Sequence, residues 1–578
     1  MLLLVVSCTA PSDEAAPSDL AIAPAAAGAV VDAESLRGKL IFGYQGWFGC
    51  PDDGSGRGWV HWNRSDAPRG DTVTFDAWPD LSEYDDASLC ASELHYADGS
   101  VAPLYSAWAP ETTLLHFDWM RTYGIDGVLL QRFNVELYDP TSLAWRDQIA
   151  TNVKAAAEAS GRVYAIEYDI SGGHEDTIAD DVIADWKHMV DDLGITESDR
   201  YLHHDGRPLV AVWGFGFSDR PGSAGDAMRV IDFFHNAPEE RYRATLVGGV
   251  PGDWRTLRGA SKTDSTWSTV YRSWDIVSPW SVGAYVDDAG IDAFRDDYLE
   301  PDLAECAAEG IEYMPTVWPG FSWANLFPGQ PLNQIPRRGG DHYWRQVYNA
   351  VSAGSPMVFN AMFDEVDEGT AMFKIGATRG DAPTDGTFLT LDADGESLPN
   401  DWYLRLGGAA TRMVNGSLAP TRTIPISPGD PPPAPPEEEP PPDEGTPPEE
   451  EPPPDEEDPP AEEPTATWNE TLVASAYRGI LGREPDEGGY ATYVDALDGG
   501  LSTLELAHAL WDSEEFAQYR APLGSAALAA DLYRGILDRE ADPEGLAATI
   551  DAIDRGAGAE RAADMLESDE ARALFAGG

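Results

Sequence analysis

Residues 127–133 read GVLLQRF and residues 163–170 read VYAIEYDI, with an amphipathic helical pattern over 145–160 between them. Each short apolar run suits a strand buried on both faces. A helix placed between two such strands makes them parallel. The unit recurs in both directions along the chain. Strands are predicted at Leu40–Gly46, Gly127–Phe133, Val163–Ile170, Leu209–Gly214, Ala244–Gly249, Ile276–Ser281, Tyr313–Trp318 and Met357–Phe363. Helical patterns fall between them at His116–Tyr123, Trp145–Ser160, Asp180–Leu193, Ala227–Asn236, Ala293–Glu309 and His342–Ala353. Eight such units over residues 34–425 predict an α/β fold, a (β/α)8 TIM barrel. A doubly wound open sheet is the other arrangement. No G-x-G-x-x-G follows the first strand, which removes the usual dinucleotide argument for it.

The rest of the chain differs in composition. Residues 426–466 are dominated by Pro, Glu and Asp, cannot bury a core, and are expected to form an extended, self-repelling spacer. Residues 467–578 read as a small all-α domain with an internal repeat: Tyr477–Glu484 (YRGILGRE) returns as Tyr533–Glu540 (YRGILDRE). The formal net charge of −63 over 578 residues excludes nucleic acid and anionic membrane surfaces as natural partners. The first residues, MLLLVVSC, resemble a bacterial lipoprotein signal with Cys8 as the lipidated residue, although the run is short and lacks a basic start. Residues 1–33 are therefore expected to be a signal and tether, and the protein to be exported to the cell envelope or beyond. In that compartment Cys50 and Cys90 are candidates for one disulfide. No Cys/His cluster has zinc spacing, and no metal or cofactor is expected.

The chemistry concentrates in Pro356–Thr370, PMVFNAMFDEVDEGT, where an apolar strand ends in four acids within five residues. Carboxylates crowded at the mouth of a buried strand push some pKa values up and leave others ionised, which is what an acid/base pair requires. If the strand rolls into a turn after Phe363, Glu365 and Glu368 face one pocket; a solvated acidic loop is the bland alternative. In a barrel the chemistry sits at the C-terminal strand ends. There the sequence places Tyr44, Gln45, Trp47, Gln131, Arg132, Glu167, Asp169, Trp213, Trp280, Trp318, Asn360, Asp364 and Asp367 beside the two glutamates. Aromatic rings interleaved with carboxylates and amides suit a sugar. Glycoside cleavage needs one protonated carboxylic acid and one carboxylate, and Glu368, Glu365 and Asp169 are the catalytic candidates. Alternation puts Glu167 and Asp169 on one face, with Arg132 as an expected partner for Glu167.

The strings GKLIFGYQGWFGCP, FDAWPDLSEYD, HFDWMRTYGIDGVLLQRF, AIEYDISG and DEVDEGT, closed by DWYLRLGGAATRMVNG, resemble the glycoside hydrolase family 71/99-like proteins. That resemblance implies a (β/α)8 barrel acting on α-linked mannan or glucan. Family 99 carries Glu-x-x-Glu after its last strand, which Glu365–Glu368 matches. There the first glutamate is thought to deprotonate the sugar 2-hydroxyl, and the second serves as acid and then base. Family 71 adds an acid after the third strand, which Asp169 matches. Val366-Asp367 departs from the Trp-His usual between the family 99 glutamates. The C-terminal repeat resembles the domain of unknown function 4214. Its Asp486–Gly489 and Asp542–Gly545 loops lack EF-hand spacing, so an interaction or anchoring module is expected. The expected function is an exported glycoside hydrolase of polysaccharide or oligosaccharide; the alternative is a glycan-binding surface lipoprotein without turnover.

Overall fold

A computed structural model describes residues 30–431, apart from 52, and, with interruptions, residues 468–571. Cys8, nearly all of the expected tether, residues 432–466 of the spacer and residue 467 lie outside the described residues, as do Asp486 and Asp542 of the repeat loops. The chain divides into two compact units at residues 443 and 444. Among the described residues no helix is long and apolar enough to cross a membrane.

The first unit alternates strand and helix eight times. The strands are β1 (Leu40–Tyr44), β2 (Gly127–Phe133), β3 (Val163–Asp169), β4 (Arg207–Trp213), β5 (Thr245–Pro251), β6 (Ile276–Trp280), β7 (Glu312–Tyr313 with Thr316–Val317) and β8 (Val358–Asn360). The helices that follow them in turn are α1 (Pro110–Tyr123), α2 (Pro140–Ser160), α3 (Ile178–Asp191), α4 (Ala224–Asn236), α5 (Thr266–Tyr271), α6 (Asp288–Phe294, continued by a π turn into Glu300–Glu309), α7 (Asp341–Ser352) and α8 (Trp402–Val414). Every strand pairs in parallel with its neighbours, and β1 pairs with both β2 and β8. The ring closes at β7. Its first half pairs with β6 and its second half with β8. Pro315 has no N–H to give a ladder, so it interrupts the strand; its carbonyl still accepts from Phe359 N–H at 3.0 Å.

The predicted eight strands are all present, which makes the barrel a closed (β/α)8 fold. β8 is shorter than expected because the chain leaves the ladder after Asn360. A hairpin, Leu89–His95 against Val101–Tyr105, is inserted between β1 and α1. Cys50 is joined to Cys90 of that hairpin, with the Cα atoms 6.2 Å apart. Many of the tryptophans are packing residues: Trp62, Trp78, Trp145, Trp186, Trp254, Trp274, Trp344 and Trp402 are all fully buried.

The second unit is helical, running from Trp468–Ala476 and Tyr477–Leu481 through Glu487–Asp498, Thr503–Trp511, Ser525–Leu537 and Pro543–Asp554 to Gly558–Leu566. Its core gathers Tyr477, Ile480, Tyr533 and Ile536, equivalent positions of the two repeats. Arg483 lies over the Tyr477 ring at 5.3 Å and Arg539 over Tyr533 at 5.2 Å, so the repeats also share a cation–π contact. They cross at their glycines: a Cβ on Gly535 would meet the backbone N of Gly479 at 2.4 Å. Backbone cannot yield as a side-chain tip can. Gly535→Ala is therefore expected to lower the calorimetric transition of the helical unit by about 1–3 kcal/mol, outweighing alanine's helix propensity of about 1 kcal/mol. The barrel transition should stay in place; an unchanged helical transition would show that the crossing has room.

Candidate active site

A cavity of about 840 Å³ opens at the C-terminal ends of the barrel strands. Strand register builds its wall in layers. Phe133, Asp169 and Trp213 are paired across β2, β3 and β4, and all three line the cavity. One layer below, Gln131 stands beside Glu167, with its amide 3.5 Å from the Glu167 carboxylate. Gly249 on β5 leaves the space that Trp213 fills, since a Cβ there would meet the indole at 2.6 Å. Gln45, Trp47, Trp280, Phe321, Trp323, Glu365 and Glu368 are also part of the wall.

The segment after β8 is pinned on both sides. Phe363 N–H donates to the Gly43 carbonyl at 2.8 Å, and Ser322 N–H donates to the Glu368 carbonyl at 2.9 Å. Asp364 turns away from the cavity and accepts the backbone N–H groups of Gln45 and Gly46 at 2.8 and 2.9 Å. Glu365 accepts from the Gln45 amide at 3.0 Å and from the Thr370 hydroxyl at 2.5 Å. A tight turn over 366–369 then brings Glu368 to the same cavity wall.

Burial governs the protonation of this cluster. It lifts the Glu365 carboxyl well above its ordinary range, helped by the charges of Glu368, Asp367 and Asp364 and opposed by the Thr370 hydrogen bond. Glu368 is raised to about 7 by burial and by Asp367, against the pull of Arg220. Both carboxyls are thus shifted toward the protonated form, and the charge of Glu368 adds to the shift at Glu365. The upward shift is the larger at Glu365, which by itself would keep the proton there. Against it, the Gln45 and Thr370 donors favour the ionised form of Glu365, whereas Glu368 has no such donors among the described residues. On this hydrogen-bonding ground the proton is assigned to Glu368. Asp169 is also raised by burial, with the Ser171 donors and Arg220 holding it down.

Several predicted site residues lie elsewhere. Arg132 is 2 % exposed and points outward. Its guanidinium pairs with Asp185 at 2.5 and 2.6 Å and with Asp147 at 2.7 Å, so the expected pairing with Glu167 is not made. Alternation is the reason: Gln131 and Glu167 point inward, and their neighbours Arg132 and Tyr168 point outward. Tyr44 is fully buried behind the wall and hydrogen-bonded to His116 Nδ1 at 2.9 Å. His116 also meets the Tyr84 hydroxyl at 2.7 Å, and burial pushes its pKa down to about 3, so it is neutral. Trp318 is enclosed against Tyr285 and His342 and does not reach the cavity. Asp364, Asp367, Glu167 and Asn360 are buried beneath the wall.

The sequence reading missed Arg220, Phe133 and Gln334. Arg220 is the sole cation among the described residues of the wall. It donates to Ser171 Oγ at 2.9 Å and lies over the Trp213 ring at 5.3 Å, so one face of Trp213 is taken by arginine. One group among the described residues, His204, Asp205 and Glu312, has metal-like spacing. It does not suit a cation. Leu36 N–H donates to His204 Nδ1 at 3.1 Å, which leaves Nε2–H to donate to Glu312 at 2.5 Å. Arg37 already neutralises both acids.

Residues 462–520 match the profile described as Domain of unknown function (DUF4214). No curated protein matches the chain. Among solved structures, the barrel is similar to the glycoside hydrolase family 99 endo-α-mannosidase of Bacteroides thetaiotaomicron in complex with BIS-TRIS-propane. The two are 15 % identical, with 66 % of this chain and 99 % of that one covered, at a TM-score of 0.48. A family 39 glycoside hydrolase of Bacteroides cellulosilyticus is 12 % identical over 52 % of this chain and 61 % of that one, at a TM-score of 0.32.

The layer below the cavity supplies a test that needs no substrate. Burial and the neighbouring Asp169 raise Glu167 to about 8, whereas an unfolded glutamate titrates at about 4.3. Between those values the folded chain holds a proton that the unfolded chain has lost. The stability tied to that proton is present below about pH 4 and is lost as pH rises through 8. Glu167→Gln is expected to flatten the fall in melting temperature between pH 5 and 8 relative to wild type. Parallel curves would mean that Glu167 is already ionised in the folded protein.

Proposed function

We propose that the barrel is a glycoside hydrolase that cleaves an α-linked glycan of mannan or glucan type, with Glu365 and Glu368 as its acid/base pair. The observation that carries this reading is the pair itself: a buried Glu365 held by two donors and a half-buried Glu368 without such donors among the described residues, both on one cavity wall. Glu368 gives its proton to the leaving oxygen and takes one back from water. Glu365, kept in place by Gln45 and Thr370, accepts a proton from the sugar 2-hydroxyl, the group implied by the sequence resemblance, as that oxygen bonds the anomeric carbon and the glycosidic bond breaks. It returns the proton to the same oxygen when water opens the new bond. Asp169 and Arg220 carry opposite charge on the same wall and suit hydroxyl binding. Trp280 and Trp323 add apolar surface for the faces of pyranose rings. Export as a lipoprotein through Cys8, with residues 426–466 as spacer and the helical unit as an anchoring or interaction module, completes the proposal.

The test is release of reducing ends by the full-length chain from α-mannan, α-1,3-glucan and arabinoxylan. Wild type is expected to cut one of the first two. Glu368→Gln and Glu365→Gln should each lower the rate by roughly 10²–10⁴-fold. Because Glu368 must carry its proton, the rate should fall as pH rises through about 7. Binding of a glycan without release by wild type would instead favour a glycan-binding protein.

A further inference from the structure

Asp367, the acid between the two glutamates, has no part in the chemistry just described, yet it sits at the centre of the cluster. It is 2 % exposed, and its charge bears on Asp76, Asp364, Glu365 and Glu368. Among the described residues its Oδ1 has no hydrogen-bond partner. Its Oδ2 lies 3.3 Å from His61 Nδ1. A buried carboxylate with one hydrogen bond depends on that bond, because loss of the donor would leave both oxygens desolvated and unpaired.

His61 is held in an uncommon way. Its φ of 59° is left-handed, a conformation that non-glycine residues keep only where their surroundings impose it. The Thr74 hydroxyl donates to its carbonyl. Its ring is stacked on Trp47 at 3.9 Å and 10°, with Phe48 edge-on at 6.1 Å. Trp47 in turn lines the cavity and stacks on Phe133 at 5.2 Å. One imidazole therefore touches both the sugar-facing wall and the acid cluster.

We propose that His61 is a positioning residue with two separable functions: its Nδ1–H fixes the Asp367 carboxyl group in place beside Glu368, and its ring fixes Trp47 in the cavity wall. The kinetic side of this inference rests on the glycosidase reading; the electrostatic side does not. His61→Phe keeps the ring and removes the donor. The Asp367 carboxyl group then loses the contact that fixes it and is free to move away from Glu368. His61→Asn places an amide where Nδ1 was and suits the left-handed backbone, but it loses the ring. His61→Gly accepts the backbone freely and loses both functions.

The test follows the Glu368 carboxyl by ¹³C NMR in the glutamate-labelled full chain, its signal identified by its loss in Glu368→Gln. Asp367→Asn, His61→Phe and His61→Gly are expected to lower the Glu368 midpoint by about half a pH unit or more, a threefold change in proton affinity. His61→Asn should leave it in place and raise the KM for the cleaved glycan roughly two- to tenfold, the worth of a ring stack, with kcat unchanged. A midpoint that stays put in His61→Phe and His61→Gly, or that rises, overturns the inference. Shifted midpoints without turnover in any protein would support the His61–Asp367 coupling while removing the glycosidase reading.

Discussion

Asp364 holds the two ends of the barrel ring together. Its buried carboxylate takes the backbone N–H groups of Gln45 and Gly46, so the residues that leave the first strand are tied to those that leave the last. Burial raises this carboxyl to about 6, with the two amides working against the shift. Charged hydrogen bonds of this kind are short and directional. Both Gln45, which reaches Glu365, and the turn that carries Glu368 take their positions from this clamp. The Arg146 guanidinium adds a second hold by donating to the Gln45 carbonyl at 2.7 Å.

Around that clamp the protein concentrates negative charge that water would otherwise solvate. Asp76 illustrates how the cluster is kept tolerable: it accepts from the Ser322 hydroxyl at 2.5 Å and from the Ala324 and Asn325 amides at 2.7 Å each. The same bonds fasten the loop that brings Phe321 and Trp323 to the cavity. Electrostatic satisfaction and cavity shape are thus supplied by one set of contacts. Arg220, lying over Trp213 in the same cavity wall, is the counterweight, working against the upward shifts of both Asp169 and Glu368.

The barrel was legible because periodicity and chain order are local properties. Each strand announces itself by a short apolar run, and alternation with helices leaves few topologies. The glutamate pair was legible for a similar reason, since both members lie within four residues of sequence. Arg132 shows where reading by strand end falls short: it neighbours Gln131, but the pleat sends it to the helix layer. Trp318 was placed at the cavity because it ends a predicted strand, although packing against Tyr285 encloses it. Arg220 and His61 carry no local signal. They reach the site from loops after β4 and β1, and only tertiary contacts reveal them. The cation over Trp213 likewise converts an expected sugar-stacking face into a charged one.

The crossing of Gly479 and Gly535 gives the helical unit the character of a dimer enclosed in one chain. The two Tyr-Arg-Gly-Ile-Leu segments meet as copies of one another at their glycines, and each repeat covers its tyrosine with an arginine six residues on. Such self-complementary surfaces are what two-fold association uses between separate subunits. Carrying both halves on one polypeptide removes the concentration dependence that a true dimer has. It also means that neither repeat has a reason to keep its partner surface alone. The two copies are free to diverge on their outer faces, and constrained to change together where they touch.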